Sequence, residues 1–224
     1  MNTKVNPDYL FVNDMLQYKS LSSELTNKNF KELDSVAKKA KLKEKIDELI
    51  CGEIVNKSEN QAALHSSYRS SHTSEGDSNH LIAAEIKVEE FLNSSCNFCI
   101  AKGFDSINII NLGIGGSFEG PKLLLESINN PIEAKKISKP IKINFDFITG
   151  SDPSEFYYKT NFLKPENTFF IVSSKSFNTD ETIVNLKKAF KWSGNISKFI
   201  AITANPDEAK RHGIKKIISF EGKG

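Results

Sequence analysis

The stretch INIINLGIGGSFEGP at residues 107–121 decides the fold class of this chain. It joins a short apolar run at residues 107–112 to a turn in which four glycines fall within positions 113–120, and a helical sequence follows at residues 122–128. Glycine lets the backbone turn tightly, approach a ligand closely and direct N–H groups at an anion over a helix N-terminus. The stretch therefore predicts a buried strand, a tight turn and a helix.

Four further short apolar runs of strand length follow along the chain, at residues 143–148, 168–172, 199–203 and 216–220. They are rich in Ile, Val and Phe, and helical stretches separate them. Near-continuous apolar strands that alternate with helices indicate a parallel sheet covered on both faces. We therefore predict an α/β fold, a five-stranded parallel flavodoxin-like sandwich in which ligands bind beyond the carboxyl ends of the strands.

The first half of the chain is predicted to be helical, with polar linkers. Apolar residues recur at helical spacing over residues 30–50 and 81–101, whereas residues 71–79 have the composition of a loop. We place a domain boundary near residue 100, with an N-terminal helical region over 1–100 and the α/β domain over 101–224. Cys96 and Cys99 lie inside the second helical segment without a second ligand pair, so we interpret them as packing cysteines.

Composition excludes several classes of protein. The 224 residues are 38% hydrophobic and 26% charged, which excludes collagen-like, disordered and disulfide-dense chains, and no apolar stretch is long enough to span a membrane. The net charge is +2, and the lysines of residues 38–45 alternate with other residues as on a solvated helix face, so no nucleic-acid partner is expected. The three cysteines indicate a reducing cytoplasm. Only Arg69 and Arg211 are arginines, so a phosphate site would depend on lysine, hydroxyls and backbone N–H groups.

The glycine turn favours an anion or polyol ligand. The spacing Gly113-x-Gly115-x-x-Phe118 lacks the third glycine of a dinucleotide fingerprint, and no Lys-Ser/Thr pair of a P-loop follows. Dinucleotide binding and a turn that serves only strand–helix packing remain as alternatives.

The segment SSKSFNTDET at residues 173–182 follows the third strand and precedes a helix predicted over residues 183–192. Five Ser or Thr hydroxyls and one lysine occupy these ten positions. Asn178 and Glu181 would form a capping box, and a well-capped helix is the simpler interpretation. One cap uses one side chain, however, and the surplus donors at a helix N-terminus suit a dianionic phosphomonoester. By contrast, residues 149–153 are predicted to form a turn.

These motifs resemble the glucose-6-phosphate isomerase (phosphoglucose isomerase) family. Residues 113–121 match its glycine loop, and residues 174–182 are similar to its S-K-T-F-T-T-x-E-T signature. Residues 63–69, with His65 and Arg69, resemble its R-x-x-L-H-x-A-L-R segment, although Gln61 stands where that segment begins with Arg. The resemblance extends from about residue 30 and includes Asn205-Pro206 and Gly213-Ile214.

The resemblance implies a first sugar-isomerase (SIS) domain and the interconversion of glucose 6-phosphate and fructose 6-phosphate through a cis-enediol. It implies no metal and no organic cofactor. The phosphate-holding positions are then Ser174, Ser176, Thr179 and Thr182. The residues that line the sugar are Gly116 and Ser117. The same signature contributes Lys175, Phe177 and Asn178, and Asn178 replaces a threonine, so that only its backbone N–H is expected to serve the phosphate.

The resemblance also implies parts that these residues do not match. The family carries a glutamate base, a ring-opening histidine from the neighbouring subunit and a further lysine in a second SIS domain and a C-terminal region. We expect those catalytic groups beyond Gly224, and none of the four histidines matches the catalytic position. The chain is thus expected to be the phosphate-binding half of a cytoplasmic, homodimeric isomerase. It should bind sugar phosphates weakly and should not isomerise them alone. A stand-alone sugar-phosphate-binding regulatory domain is the alternative.

Overall fold

A computed structural model describes residues 10–12, 17–19, 27–58, 60, 62–63, 75–127, 139–150 and 152–220. The chain forms two compact units, Met1–Ser66 and Ser67–Gly224. None of the described helices is long and apolar enough to cross a membrane.

The first unit contains a short hairpin and two helices. Strand β1 (Leu10–Val12) pairs antiparallel with β2 (Gln17–Lys19), and helices α1 (Asn27–Lys39) and α2 (Leu42–Ile50) follow. The two helices separate at Lys41, whose φ of 52° is left-handed and cannot continue a right-handed helix. The predicted helical segment at residues 30–50 is therefore two helices, and the lysine run at residues 38–45 is solvent-exposed as expected.

The second unit alternates helices and strands, and all five predicted strands are present. Its elements in chain order are α3 (Glu75–Ala101), β3 (Ser106–Leu112), α4 (Gly116–Ser127), β4 (Lys142–Ile148), α5 (Pro153–Thr160), β5 (Thr168–Ser173), α6 (Asp180–Ser193), β6 (Phe199–Thr203), α7 (Pro206–Arg211) and β7 (Lys216–Ser219).

The five strands form one parallel sheet in the order β4-β3-β5-β6-β7. Numbered along the chain, the first strand of this sheet lies between the second and the third, which is the flavodoxin-like order. The predicted fold class is confirmed. The connections diverge between β3 and β5, so the topological switch point, where ligands bind in such folds, lies between the carboxyl ends of these two strands.

Alternate residues of each strand supply two cores, because successive side chains point to opposite faces. One face packs against α5, α6 and α7, with Phe170 of β5 stacked on Phe199 of β6 at 4.7 Å between ring centroids. The other face packs against α3, where Phe91 meets Phe169 edge-to-face. Burying side chains of this size stabilises the fold by about 1.5–3 kcal/mol each.

Several predicted boundaries differ from the structure. Helix α3 packs against β3 and β7, and it lies in the same compact unit as the sheet. The domain boundary near residue 100 stays a prediction. Residues 75–79 of the predicted loop form the first turns of α3, because serine and glycine each disfavour a helix by only about 1 kcal/mol or less. Helix α4 begins at Gly116, ahead of the predicted residue 122.

Cys96 and Cys99 pack into the core between α3 and the sheet, as the sequence predicted. Both are fully buried, whereas Cys51 is exposed. Burial raises the pKa of the Cys99 thiol to about 11, with a smaller contribution from the neighbouring Cys96, and burial also raises the pKa of Cys96. Since the thiolate is the reactive form, neither cysteine is suited to redox chemistry or to metal binding.

We predict that Cys51 alone reacts rapidly when the native chain is labelled with a thiol-specific disulfide reagent at pH 8. The Cys96 and Cys99 thiols should react only after unfolding in urea, because they are buried and protonated at that pH. A Cys51→Ser variant is the control and should show no rapid phase. Rapid labelling of a second thiol in that variant would contradict the burial of this pair.

Candidate functional site

Two loops meet at the switch point between β3 and β5. The glycine loop (residues 113–116) follows β3, and the hydroxyl loop (residues 173–182) follows β5. Because β3 and β5 are hydrogen-bonded neighbours, the loops leave the same edge of the sheet. The structure thus brings together the two motifs that the sequence identified separately.

Gly113 is placed where only a glycine fits. A Cβ at this position would lie 2.9 Å from the Ser173 carbonyl oxygen and 2.9 Å from the Ser117 Cβ. Its N–H donates to the Ile148 carbonyl at 3.3 Å, which ties the turn to the end of β4. The missing side chain allows β3, α4 and β5 to approach one another closely at the site.

The start of α4 is open toward solvent. Gly115 has a φ of +53°, and a Cβ built on Gly116 would meet no atom within 4 Å. Gly116 is exposed and Ser117 is half-buried. A ligand can therefore approach the backbone at Gly116 without displacing any side chain.

The hydroxyl loop is anchored to the end of β6 and the start of α7. The Ser174 N–H donates to the Ile202 carbonyl at 3.1 Å, and the Lys175 carbonyl accepts from the Ala204 N–H and the Thr203 hydroxyl, both at 3.0 Å. The Asn205 side-chain amide donates to the Ser176 carbonyl at 3.2 Å. These bonds fix the loop backbone against the end of β6 and the start of α7. The Lys175, Ser176 and Asn178 side chains are exposed.

Ser174 and Phe177 shape the loop from within. The Ser174 hydroxyl accepts from the Phe177 N–H at 3.2 Å and lies 3.4 Å from the Thr179 hydroxyl. Phe177 has a φ of 56° and is fully buried, with its ring 5.9 Å from that of His212 at the end of α7. A phenylalanine is strained in this region. Its side chain is therefore a core anchor, and only its backbone can reach a ligand at this loop.

The start of α6 is not the capping box that the sequence offered as the simpler interpretation. The helix begins at Asp180, its N-cap residue is Thr179 and not Asn178, and the Thr179 side chain makes no capping hydrogen bond. One turn later the Thr182 hydroxyl is buried without a hydrogen-bond partner. Buried polar groups are normally paired, so this helix N-terminus retains hydrogen-bonding capacity that the fold itself does not use.

The end of β4 is bonded to a carboxylate of the segment that follows it, and the turn predicted over residues 149–153 includes Ser151, which lies outside the described residues. The Glu155 carboxylate accepts from the Thr149 N–H at 3.0 Å, from the Thr149 hydroxyl at 3.2 Å and from the Gly150 N–H at 2.6 Å. Asp152 caps α5 by accepting from the Ser154 N–H at 2.8 Å, and this hydrogen bond lowers the pKa of Asp152. The donors at this strand end are thus bonded to the protein's own carboxylates.

Asparagines that the sequence analysis did not single out connect these strand ends. Asn111, buried in β3, donates to the Ser117 carbonyl at 3.0 Å and accepts from the Ser173 hydroxyl at 2.7 Å. Asn185, buried in α6, donates to the Gly150 carbonyl at 2.5 Å. The available signal was an amide in an otherwise apolar strand or helix face, since such a group needs partners when buried.

Some sequence-based expectations fall outside the described residues. These are Gln61, Leu64, His65, Arg69, His72 and Ser151. Within the described part of the chain, no three His, Cys, Asp or Glu side chains are grouped so that they would hold a metal ion.

The chain is similar in sequence to a known protein family. The family model described as phosphoglucose isomerase matches residues 20–223. The chain is 35% identical over 198 residues to a glucose-6-phosphate isomerase of Legionella pneumophila, a match that covers 83% of this chain and 38% of that relative. It is 31% identical to a glucose-6-phosphate isomerase of Wigglesworthia glossinidia brevipalpis, over 97% of this chain and 44% of that relative.

A solved structure shares the fold. It is a glucose-6-phosphate isomerase from Chlamydia trachomatis, with a TM-score of 0.67 and 20% identity, and the match covers 91% of this chain and 40% of that one. The chain therefore spans less than half the length of the relatives it matches, between 38% and 44% in the two sequence comparisons.

We predict that Gly113→Ala destabilises the chain by about 1–3 kcal/mol, because the added methyl group meets backbone that must move. Gly120→Ala is the matched control. It lies in α4 with open space around its Cβ position, so alanine should leave stability unchanged or raise it by up to about 1 kcal/mol. Urea unfolding of the two variants measures the difference, and equal midpoints would contradict the close approach at Gly113.

Proposed function

The chain belongs to the phosphoglucose isomerase family, and we propose that it provides the phosphate-binding half of a site that interconverts glucose 6-phosphate and fructose 6-phosphate. The hydroxyl loop and the N-terminus of α6 take the phosphate, and the glycine loop faces the sugar. In this proposal Ser176, Thr179 and Thr182 supply hydroxyls, Lys175 supplies charge and Asn178 supplies its backbone N–H.

The observation that carries the proposal is the unused hydrogen-bonding capacity at the start of α6. Thr179 does not cap the helix, and the Thr182 hydroxyl is buried without a partner. Backbone N–H groups and the positive end of the helix dipole favour an anion at such a position. The exposed Lys175 adds the only positive side chain of the hydroxyl loop.

The proposed roles of Ser174 and Phe177 are indirect. The Ser174 hydroxyl bonds to the Phe177 N–H and approaches Thr179, so it orients the loop in addition to any contact with phosphate. Its 3.4 Å approach to Thr179 is long for a bond between hydroxyls. Both hydroxyls can therefore turn toward a phosphate oxygen at small cost.

Phosphate binding at this position serves the reaction by orientation. Isomerisation moves a proton between C1 and C2, at the end of the sugar remote from the phosphate. Binding energy from the remote group positions the reacting carbons. We assign no general base to the described residues. The Glu155 carboxylate, at the end of β4, is already fixed by three hydrogen bonds.

The proposal also covers the cellular location, oligomeric state, partners and cofactors of the enzyme. We infer a cytoplasmic, homodimeric protein that acts on a small sugar phosphate, without a nucleic-acid or membrane partner and without a metal or organic cofactor. A cytoplasmic location suits the free Cys51, Cys96 and Cys99, because thiols stay reduced in that compartment.

Thr182→Val provides a direct test of the phosphate site. Valine has the shape of threonine but lacks the hydroxyl, so removing a buried group without a partner should leave the free energy of unfolding unchanged or raise it. The same change should weaken binding of inorganic phosphate about 10-fold or more, the size expected for one hydrogen bond to a charged group. Isothermal titration calorimetry and urea unfolding measure the two effects.

Thr160→Val is the matched control for this test. The Thr160 hydroxyl is also buried in a helix, but it donates to the Phe156 carbonyl at 2.7 Å. Its loss should destabilise the chain by about 1 kcal/mol and leave phosphate affinity unchanged. Loss of stability in Thr182→Val with unchanged phosphate affinity would show that Thr182 has a purely structural role.

A coupled enzyme assay tests whether the chain binds a sugar phosphate without isomerising it. We expect the 224-residue chain to bind fructose 6-phosphate and to show no turnover to glucose 6-phosphate, because the described residues include no assigned base. Fast turnover by the purified chain would contradict this expectation. Sugar-phosphate binding that changes the activity of a separate protein would instead favour the regulatory alternative.

A further inference from the structure

We propose that Asn111 is a positioning residue that sets the distance between the glycine loop and the hydroxyl loop, and thereby makes the site prefer a sugar phosphate to inorganic phosphate. The inference rests on the proposed function, in which one loop faces the sugar and the other takes the phosphate. To the residues of the proposed site the inference adds Asn111, which contacts neither ligand and acts by positioning both loops.

The contacts of Asn111 are directed at both loops simultaneously. Its side-chain amide donates to the Ser117 carbonyl at the start of α4, at 3.0 Å, and its side-chain oxygen accepts from the Ser173 hydroxyl at the end of β5, at 2.7 Å. Asn111 is only 3% exposed, so water does not compete for these bonds. A single planar amide therefore joins the two halves of the site.

Pro121 explains why the Ser117 carbonyl is available to Asn111. In an α-helix this carbonyl would accept from the N–H of residue 121, but residue 121 is a proline inside α4 and has no N–H. The carbonyl lacks its helical donor, and the Asn111 amide takes that place. The first turn of α4 is thus hydrogen-bonded to the sheet, at the point where the glycine loop enters the helix.

The packing around this bridge leaves little freedom. The Gly113 position lies so close to Ser173 and Ser117 that a Cβ there would be 2.9 Å from each. Interiors of this density transmit a displacement and do not absorb it. Loss of the Asn111 bridge should therefore shift the glycine loop relative to the hydroxyl loop without disturbing the hydroxyl loop's own bonds to β6.

Asn108 provides a matched comparison on the same strand. It is 8% exposed, accepts from Asn144 at 3.1 Å and donates to Asn167 at 3.3 Å. These bonds join β3 to β4 and to the residue that directly precedes β5, at the amino ends of the strands. Replacing Asn108 therefore disturbs the sheet to a similar degree at a place remote from both loops.

The experiment compares Asn111→Leu with Asn108→Leu by calorimetric titration of the 224-residue chain with fructose 6-phosphate and with inorganic phosphate. In Asn111→Leu we expect the Kd of fructose 6-phosphate to rise about 10-fold or more, since small misplacements of binding groups have effects of this order. The Kd of phosphate should change by less than about twofold, because phosphate contacts the hydroxyl loop alone. In Asn108→Leu both Kd values should remain as in the wild type.

A second substitution separates positioning from stability. Pro121→Ala returns an N–H to the helix, so in the Asn111→Leu background it should restore the Ser117 hydrogen bond and raise the unfolding midpoint. It cannot restore the bond to Ser173, so the preference for fructose 6-phosphate should stay reduced. Ser173→Ala removes only that bond, and it should lower the preference in a chain that otherwise folds normally.

Each outcome decides the inference. Unchanged preference in Asn111→Leu, or in Ser173→Ala if Asn111→Leu does not fold, overturns it while the proposed function stands. An equal loss of preference in Asn108→Leu also overturns it, because the effect would then belong to the sheet in general. Failure of the wild-type chain to bind either ligand would overturn the proposed function, and this inference with it.

Discussion

The close approach of strands β3 and β5 at their carboxyl ends is the constraint on which the site depends. Gly113 has no side chain, and one there would meet the backbone of Ser173 at 2.9 Å. This approach places an open helix N-terminus at Gly116 beside the loop that ends at Thr182. If the two strand ends were further apart, the two loops would not be neighbours.

Buried polar side chains at the two ends of the sheet differ in their hydrogen bonding. At the amino ends Asn108 of β3 bonds both to Asn144 of β4 and to Asn167, which directly precedes β5. At the carboxyl ends the Thr182 hydroxyl and the Asn185 side-chain oxygen are buried without partners. The Ser95 hydroxyl of α3 is also buried without a partner. Buried polar groups are normally paired, and exceptions are expected at functional sites. This difference between the two ends of the sheet favours a ligand site at the carboxyl ends of the strands.

The sequence predicted the strands well and the helix starts less well. Apolar runs of Ile, Val and Phe are unambiguous when a strand is covered on both faces, and each predicted strand lies within one or two residues of its structural counterpart. Helix starts depend on which residue adopts the extended N-cap conformation. The sequence allowed Asn178, and the structure uses Thr179, because the buried ring of Phe177 and its bond to Ser174 set the path of the chain just before the helix.

The sequence by itself determined the α/β class, the strand–turn–helix order and which side chains the glycine and hydroxyl loops carry, since these follow from local composition and spacing. Only the tertiary structure decided that the loops are neighbours, that Phe177 points inward, and that α3 packs on the sheet. It also revealed the Asn111 bridge, whose partners are 6 and 62 residues away along the chain. Hydrogen bonds between distant residues leave no periodicity in a sequence. They arise when the sheet places the ends of β3 and β5 side by side.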